Sequence, residues 1–370
     1  MRIGALLGVA LAIGPFGVAA GSDPNGIDQW VRDQGGSVKL SASGEVVEID
    51  LSRTWVTDVD LERLRGLNSL TVLKLAQTHV SDSALRVVAS LARLRSLDLF
   101  FCEHVTDAGA SVLRDAAMLE RLNVRGTKIG DSGLKFLTEL QRLKSLDVGI
   151  TEVSNSSVEL LEALPALEDL AIGGNRIGEA GIGSLRALKR LKTLDLSGAQ
   201  VTDSGVWAVG ITDLNLKELA AMQGLESLNL AAPSQEYVLA ISSGVPRLRG
   251  GIRVTDLGAP YLARLTALRK LNLTRSSVTE KGIESLRPLQ ALEELVLSHV
   301  ASLGTDTGAA LRGLPSLRVL DLSHSRFDDA GLAALADHPG LRRIVLAGTQ
   351  VTAQAVDRFL AARQGRVVIR

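Results

Sequence analysis

The stretch Leu94-Arg-Ser-Leu97-Asp-Leu99 recurs along this chain of 370 residues as the pattern LxxLxL. The first leucine of the pattern falls at Leu70, Leu94, Leu119, Leu143, Leu167, Leu191, Leu225, Leu268, Leu292, Leu317 and Leu341. The regular step between copies is 24 or 25 residues. A fixed period of this length is the signature of a solenoid, in which one small unit stacks on copies of itself. The sequence therefore predicts a repeat protein.

The second half of each repeat is an element of the type V-T-D-x-G-L, as at 105–110 and 201–206. Thr is a common helix N-cap, and Asp suits the positive end of the helix dipole. The Gly allows neighbouring helices to approach closely, and the next apolar pair, such as Leu134 and Leu137, faces inward. One repeat is therefore a strand, a turn and a helix. Stacked repeats place their strands in a parallel sheet on the concave side and their helices on the convex side.

The segment 97–109 (LDLFFCEHVTDAG) is close to the cysteine-containing repeat consensus. The chain resembles the leucine-rich-repeat family, in the ribonuclease-inhibitor-like and cysteine-containing subfamily found beside F-boxes, and it is similar to exported bacterial leucine-rich-repeat proteins. Thr or Asn replaces the cysteine in most other copies, namely at Thr54, Thr78, Thr127, Thr151, Asn175 and Thr349. The resemblance covers 46–351. It implies an α/β fold, a right-handed horseshoe-shaped solenoid that binds another protein.

The composition suits a folded core and narrows the classes of partner. Hydrophobic residues make up 46% and charged residues 22% of the chain. The 41 Lys and Arg residues balance 41 Asp and Glu residues, so no strong field attracts nucleic acid or an anionic membrane. We therefore expect a protein partner and no nucleic acid.

The N-terminal residues have the pattern of a targeting segment. Arg2 precedes an apolar run over 3–18, and small residues end it at 18–20. This pattern is typical of a cleavable secretory signal peptide. The alternative is an uncleaved anchor helix, which Pro15 would interrupt. We predict a signal peptide over 1–20, a secreted, periplasmic or cell-envelope location, and no stable membrane span after cleavage.

The rest of the chain divides into an N-terminal cap over 21–45, about twelve repeats over 46–365 and a capping strand over 366–370. The repeats are irregular at 201–260. There, Ile211-Thr-Asp213 restarts the helix register ten residues after the same motif at Val201. The stretch 231–251 is interpreted as a degenerate repeat with a weak strand signal near 245–248. The alternative is a protruding recognition loop around 235–237.

The concave face is the expected interface, because the residues that flank the inward leucines point to solvent. The candidate binding residues are Lys74, Asp98, Phe100, Phe101, Arg121, Asn123, Arg125, Asp147 and Asp195. At least one phenylalanine is expected to be exposed beside arginines, a composition typical of binding hot spots. The alternative is that both rings pack along the sheet edge. The Asp and Asn run suits a basic or hydroxyl-rich partner, or serves solubility alone.

Catalysis is not expected, and neither is a cofactor. None of the five histidines lies in an HExxH or triad-like context, and no Gly-rich phosphate loop is present. His299 and His324 hold the same position in adjacent repeats, so they should stack. With Asp321 nearby they could bind a metal, although surface histidines in register are common in repeats. The single cysteine, Cys102, fits a buried ladder position better than a nucleophile.

These observations favour a non-catalytic protein-binding scaffold. One alternative is an F-box-like adaptor or effector that selects substrates for ubiquitin ligation, against which no F-box segment is found at either end. A metal-dependent enzyme that uses the histidine-bearing loops, and a carbohydrate-binding protein, are the others.

Overall fold

A computed structural model describes residues 26–202, 205–234, 248–363 and 368–369. Its main feature is a fourteen-stranded sheet in the order β1 to β8, β11, β13 to β17, in which only β1 with β2 is antiparallel. The strands are β1 (Ser37–Leu40), β2 (Val46–Asp50), β3 (Val72–Lys74), β4 (Ser96–Asp98), β5 (Arg121–Asn123), β6 (Ser145–Asp147), β7 (Asp169–Ala171), β8 (Thr193–Asp195), β9 (Gln200–Thr202), β10 (Gly205–Ile211), β11 (Ser227–Asn229), β12 (Leu248–Ile252), β13 (Lys270–Asn272), β14 (Glu294–Val296), β15 (Val319–Asp321), β16 (Arg343–Val345) and β17 (Val368–Ile369).

A short helix follows nearly every strand of this sheet, and neighbouring helices pack on one another. The α-helices are α1 (Ile27–Asp33), α2 (Asp58–Leu61), α3 (Leu85–Ala89), α4 (Asp107–Leu113), α5 (Asp131–Leu137), α6 (Asn155–Val158), α7 (Glu179–Ser184), α8 (Asp213–Leu219), α9 (Ala259–Leu262), α10 (Glu280–Ser285), α11 (Thr307–Leu311), α12 (Asp329–Ala334) and α13 (Ala353–Ala362). Short 3-10 turns lie at Glu62–Leu64, Glu159–Ala163 and Leu185–Ala187. No helix within the described ranges is long and apolar enough to cross a membrane.

The predicted in-and-out pattern of the leucines is confirmed. In β4 the central Leu97 is buried and its neighbours Ser96 and Asp98 are part-exposed, and the same pattern repeats along the sheet. Leu94 and Leu99 are buried as well. Each fully buried leucine contributes roughly 1.5–3 kcal/mol. The stack of leucines between sheet and helices is therefore the main source of stability.

The Asp of the V-T-D element has a role that the sequence did not reveal. Its carboxylate binds the start of the next repeat: Asp82 accepts hydrogen bonds from the backbone N–H and the hydroxyl of Thr106, each at 2.7 Å. Asp107 accepts in the same way from the N–H groups of Gly130 and Gly133, at 2.6 and 2.9 Å. The three bonds from N–H groups satisfy amides at the beginning of a helix, where no partner within the helix exists.

The position of these carboxylates explains why glycine stands two residues after the Asp of the V-T-D-x-G element. A Cβ atom on Gly133 would overlap the Asp107 carboxylate, and one on Gly109 would overlap the Asp82 carboxylate. The glycine therefore makes room for the Asp of the preceding repeat, which lets adjacent helices pack closely as predicted.

One sequence expectation about the irregular region is wrong. Gln200–Thr202 is a strand, not the start of a helix, and the helix begins at Asp213 after the N-cap Thr212. Strand β11 pairs directly with β13, with Ser227 opposite Lys270. The described end of the second irregular stretch, Leu248–Ile252, is a strand of a separate sheet, next to the weak strand signal at 245–248, and the degenerate repeat stays a prediction. Residues 203–204 and 235–247, including the predicted recognition loop, lie outside the described residues.

The two irregularities instead form one structure. Strands β9, β10 and β12 make a separate three-stranded sheet in the order β12-β10-β9. Strands β9 and β10 lie in the first insertion, between β8 and α8, and β12 lies in the second insertion, between β11 and α9. Strands β10 and β12 pair in parallel. The insertions thus come from neighbouring repeats and support each other.

The two ends of the solenoid are covered differently. At the N-terminal end, α1 buries Ile27 and Val31, and β1 closes the sheet edge. At the C-terminal end, the Arg363 guanidinium after α13 donates to the carbonyl oxygens of Ala336, His338 and Leu341. Val368–Ile369 pairs with β16. The other residues of the predicted capping strand, and the predicted signal peptide, lie outside the described residues.

The buried His338 makes the C-terminal end sensitive to acid. Its Nε2 lies 3.0 Å from the carbonyl oxygen of Leu314, and its Nδ1 accepts the N–H of Gly340 at 3.3 Å, which fixes a neutral ring. Burial, and then the nearby Arg363 charge, lower the pKa of His338 below the ordinary 6.5. The unfolded chain therefore binds a proton that the folded chain does not bind as the pH falls below that value.

We predict that the free energy of unfolding falls as the pH is lowered from about 7 to about 5. This loss should be smaller in His338→Gln, whose side chain does not titrate. Urea unfolding at several pH values measures both slopes. Equal slopes for the two proteins would show that His338 does not carry the effect.

Candidate interface on the open face of the sheet

The open face is defined as the side of the main sheet that carries the residues flanking each buried central residue. Lys74, Asp98, Asn123 and Asp147 lie side by side on it, because they are direct register partners on β3 to β6. Asp195 lies two strands further on, beyond Ala171. Adjacent strands are roughly 4.8 Å apart, so the structure brings these predicted residues into one continuous row.

The Asp and Asn residues of this row support the backbone. Their Oδ1 atoms accept the N–H two residues further on, as in Asp98 to Phe100 at 3.0 Å and Asp195 to Ser197 at 2.8 Å. The same contact occurs at Asp50, Asn123, Asp147, Asn229, Asn272 and Asp321. This Asx turn holds the chain where it leaves the strand. The run therefore has a structural role that neither sequence interpretation included.

Burial changes the charge behaviour of two of these carboxylates. It raises the pKa of Asp98, and it raises the pKa of Asp147 despite the opposing effects of the Gly149 N–H and the Arg125 charge. The charge of Asp195 adds to the rise at Asp147. A cationic partner group placed between Asp147 and Asp195 would reduce this repulsion.

Lys74 lies in a network of charges at the N-terminal end of the open face. Its Nζ is 2.9 Å from Glu48 and 3.4 Å from Asp50, and Glu48 also binds Lys39. The hydrogen bonds from Lys39 and Lys74 lower the pKa of Glu48, and the bond to Glu48 raises the pKa of Lys74. Lys74 is therefore held in place by its own neighbours while 37% of its side chain stays exposed.

The expectation that Phe100 or Phe101 is exposed is wrong, because both are half-buried. Their rings contact edge to face, with centroids 4.6 Å apart. Phe101 has a φ of +52°, and its ring covers Gly126, on which a Cβ atom would lie 2.7 Å from the ring. The missing side chain in the next repeat thus creates the space that Phe101 fills. The pair packs along the sheet as in the alternative interpretation.

Arg125 is also more enclosed than predicted, with 18% of its side chain exposed. Its guanidinium lies 3.6 Å from Asp147, and a Cβ atom on Gly149 would overlap it. A Cβ atom on Gly198 would come within 3.0 Å of the same group. Arg125 therefore packs across glycines towards the point where the first insertion begins. Arg121, by contrast, is exposed.

Cys102 is fully buried, as the ladder interpretation predicted. Its Sγ donates to the carbonyl oxygen of Leu75 at 3.0 Å and lies 3.6 Å from the Thr78 hydroxyl. Burial raises the pKa of the Cys102 thiol, which disfavours the thiolate that a nucleophile requires. In other repeats the hydroxyls of Thr54, Thr127 and Thr151 donate instead to the carbonyl oxygen three residues earlier in their own repeat.

His299 and His324 stack as predicted, with centroids 4.3 Å apart and planes 28° apart. In stacked rings the in-plane lone pairs run side by side, whereas a bound ion needs them to converge. No group of three or more potential metal ligands occurs among the described residues.

Two protein-family models, both described as leucine-rich repeats, match segments of the chain. The first covers 266–327, and the second covers 93–113, 116–137 and 189–210. These segments of the chain are therefore leucine-rich repeats. The ribonuclease-inhibitor-like subfamily stays a prediction. No curated protein matches the chain.

Solved structures of two bacterial proteins are similar to the chain over most of their length. An internalin (inlF) from Listeria monocytogenes is 18% identical, covers 93% of this chain and 92% of its own, and superposes with a TM-score of 0.56. A leucine-rich-repeat protein of Leptospira interrogans is 14% identical, covers 91% and 94%, and has a TM-score of 0.49. At 18% identity the likeness to the internalin shows the fold alone.

The leucine-rich repeats also carry a charge ladder that the sequence interpretation missed. From Leu97 to Leu320, the residue two positions before the buried central leucine alternates in charge sign from repeat to repeat, along Arg95, Glu120, Lys144, Glu168, Lys192, Glu226, Arg269, Glu293 and Arg318. Glu120 contacts both Arg95 and Lys144, and Glu293 contacts Arg269 and Arg318. The alternation of charge at this one repeat position is visible in the sequence and is the signal that could have predicted the ladder. These exposed pairs contribute little each, but a shift by one repeat would bring like charges together.

Proposed function

We propose that this chain is a non-catalytic scaffold that binds a protein partner on the N-terminal half of the open face. The proposal is carried by the row from Lys74 to Asp195. These side chains are aligned by strand register and fixed at their backbone, yet they remain part-exposed. A face that is ordered before binding loses little entropy when a partner docks.

The chemistry of this row favours a partner with hydrogen-bond donors and basic groups. Asp98 and Asp195 each use one carboxylate oxygen for the Asx turn, and no hydrogen bond among the described residues uses the second. Arg121 adds an exposed donor between them and has no ion-pair partner in the described part of the chain. The enclosed Arg125 and Phe101 support this surface from beside it. No contact within the described ranges favours the F-box-like adaptor or the metal-dependent enzyme.

We also propose that the chain acts outside the cytoplasm, in the cell envelope or beyond it. The support is the basic and apolar pattern of residues 2–20, which is typical of a secretory signal. Detection of a chain that begins at Gly21, by N-terminal sequencing of the protein from its native cells, would test this. A chain that retains residues 1–20 would contradict it.

Crosslinking capture tests the scaffold function. The chain from Gly21 serves as bait in cell-envelope and culture fractions, beside Arg121→Glu and the control Lys135→Glu. Both changes reverse an exposed charge, but Lys135 lies in α5 on the other side of the repeat. We expect a partner that the wild type and Lys135→Glu capture and that folded Arg121→Glu captures at least tenfold less. Equal capture by all three would contradict this location, and no capture would contradict the scaffold function.

A further inference from the structure

The C-terminal part of the open face differs from the row just described. Val296 and Val345 occupy positions held elsewhere mainly by Asp or Asn. Asp321 lies directly between them on the intervening strand β15, and Val319 lies on the same strand in the neighbouring column. All three valines are part-exposed. The register places Val296 opposite Asp321 and Val319 opposite Arg343, so the valines zigzag across β14, β15 and β16. Side chains at such diagonal positions are within contact distance of one ligand.

A basic rim lines one side of these valines. Arg275, His299 and His324 hold the same turn position in three successive repeats, each with a φ near +60°. Both histidines are exposed and stacked on each other, and His324 covers Gly348 of the next repeat. The rim is therefore a fixed, continuous edge of cationic and imidazole groups.

The balance of charge around the valines is positive. Of the two acidic groups on this part of the face, Glu294 is paired with Lys270 at 3.7 Å. Asp321 accepts the N–H of Ser323 with one oxygen and keeps its negative charge, which Arg275 and Arg343 together outnumber. Arg275 and Arg343 have no ion-pair partner among the residues that the structure describes, and Arg343 is exposed. An apolar centre with unneutralised arginines at its edge complements a ligand that is apolar and acidic.

We infer that this C-terminal patch, formed by Val296, Val319, Val345 and the rim, binds an acidic polypeptide segment that carries aliphatic side chains. The inference rests on the proposed scaffold function, and it adds a second contact region with the opposite charge preference. Aliphatic side chains of the segment pack between the valines. Its carboxylates pair with Arg275 and Arg343.

A phage-displayed library of random 15-residue peptides, panned against the chain from Gly21, tests the patch. The expected result is enrichment of peptides that combine Asp or Glu with Leu, Ile or Val. Binding of synthetic copies to Val319→Asp should be at least tenfold weaker, while Val72→Asp retains wild-type affinity. Val72 is the matched control because it holds the same strand position as Val319 in an N-terminal repeat.

A second variant tests the patch independently if Val319→Asp does not fold. Arg275→Gly places glycine where Gly126 and Gly348 already adopt the same positive φ, so the backbone is retained. It should weaken the acidic peptides severalfold, with melting unchanged.

Three outcomes would overturn the patch: enrichment of basic peptides, enriched peptides indifferent to Val319→Asp, or no enrichment. Self-association of the chain that is lost in Val319→Asp would also overturn it, because a second copy would then be the occupant. None of these results decides the scaffold function, which the capture experiment with Arg121→Glu tests separately.

Discussion

Leu196→Asp is expected to unfold several neighbouring repeats, with a loss of about 4–5 kcal/mol in the free energy of unfolding. Leu196 is fully buried just after β8. A carboxylate there would lose its hydration without gaining a partner. Each repeat is stabilised mainly by its neighbours, so the loss should spread along the solenoid. Hydrogen exchange should show lost protection in the repeats on both sides, and urea unfolding gives the free energy.

The matched control is the adjacent residue, which faces the opposite way. Asp195→Ala removes only the hydrogen bond to the Ser197 N–H, so about 1 kcal/mol should be lost. This loss comes from the Asx turn, since an outward-facing side chain without such a contact would contribute almost nothing. Similar losses for the two variants would contradict the assignment of inward and outward faces.

Gly173→Ala is expected to cost about 3 kcal/mol, at the upper end for overpacking. A Cβ atom on Gly173 would overlap the carbonyl oxygen of Ser197, which belongs to the backbone where the first insertion leaves the sheet. A backbone group cannot rotate away as a side chain can. The insertion must therefore shift, and with it the contact between Arg125 and Gly198. Thermal melting and hydrogen exchange of β9 and β10 measure the effect.

Gly183→Ala provides the comparison in the next part of the same repeat. Gly183 lies within α7, and nothing lies within 4 Å of the Cβ position. Because alanine favours helices, this change should stabilise the protein by about 0.5–1 kcal/mol. If Gly173→Ala were equally harmless, the close approach of the insertion to Gly173 would be disproved.

The regular part of the fold was predictable because each leucine carries its own positional information. A leucine at the centre of a three-residue strand can face only the core if its two polar neighbours face water. The buried ladder at Cys102 and Thr78 was predictable for a similar reason, since one position repeats with small polar or sulfur-containing residues. Such periodic signals reinforce each other over many copies.

The irregular region was not predictable from its motif. Val201-Thr202 and Ile211-Thr212 look alike, but only the second is followed by a helix-forming run, at α8. The six residues before it, 206–211, are mostly apolar and β-branched or aromatic, which favours the observed strand β10. That local signal outweighed the repeat motif. Pairing of β10 with β12 of the second insertion is a long-range contact that no local pattern encodes.

The candidate interface was half predicted. The row of outward residues followed from strand alternation, and it holds for Lys74, Asp98, Asn123, Asp147 and Asp195. The burial of Phe101 and Arg125 did not follow, because it depends on glycines one or more repeats away and on a positive φ at Phe101. Side chains that reach across repeats are governed by spaces in their neighbours, which a single repeat does not reveal.

The most direct test of the scaffold function is photocrosslinking from two defined positions. A photoreactive amino acid replaces Arg121 on the open face or Lys135 on α5, and each protein is irradiated with the partner obtained by capture. We expect a covalent adduct from position 121 and none from position 135. An adduct from position 135 alone, or equal adducts from both, would contradict binding on the open face.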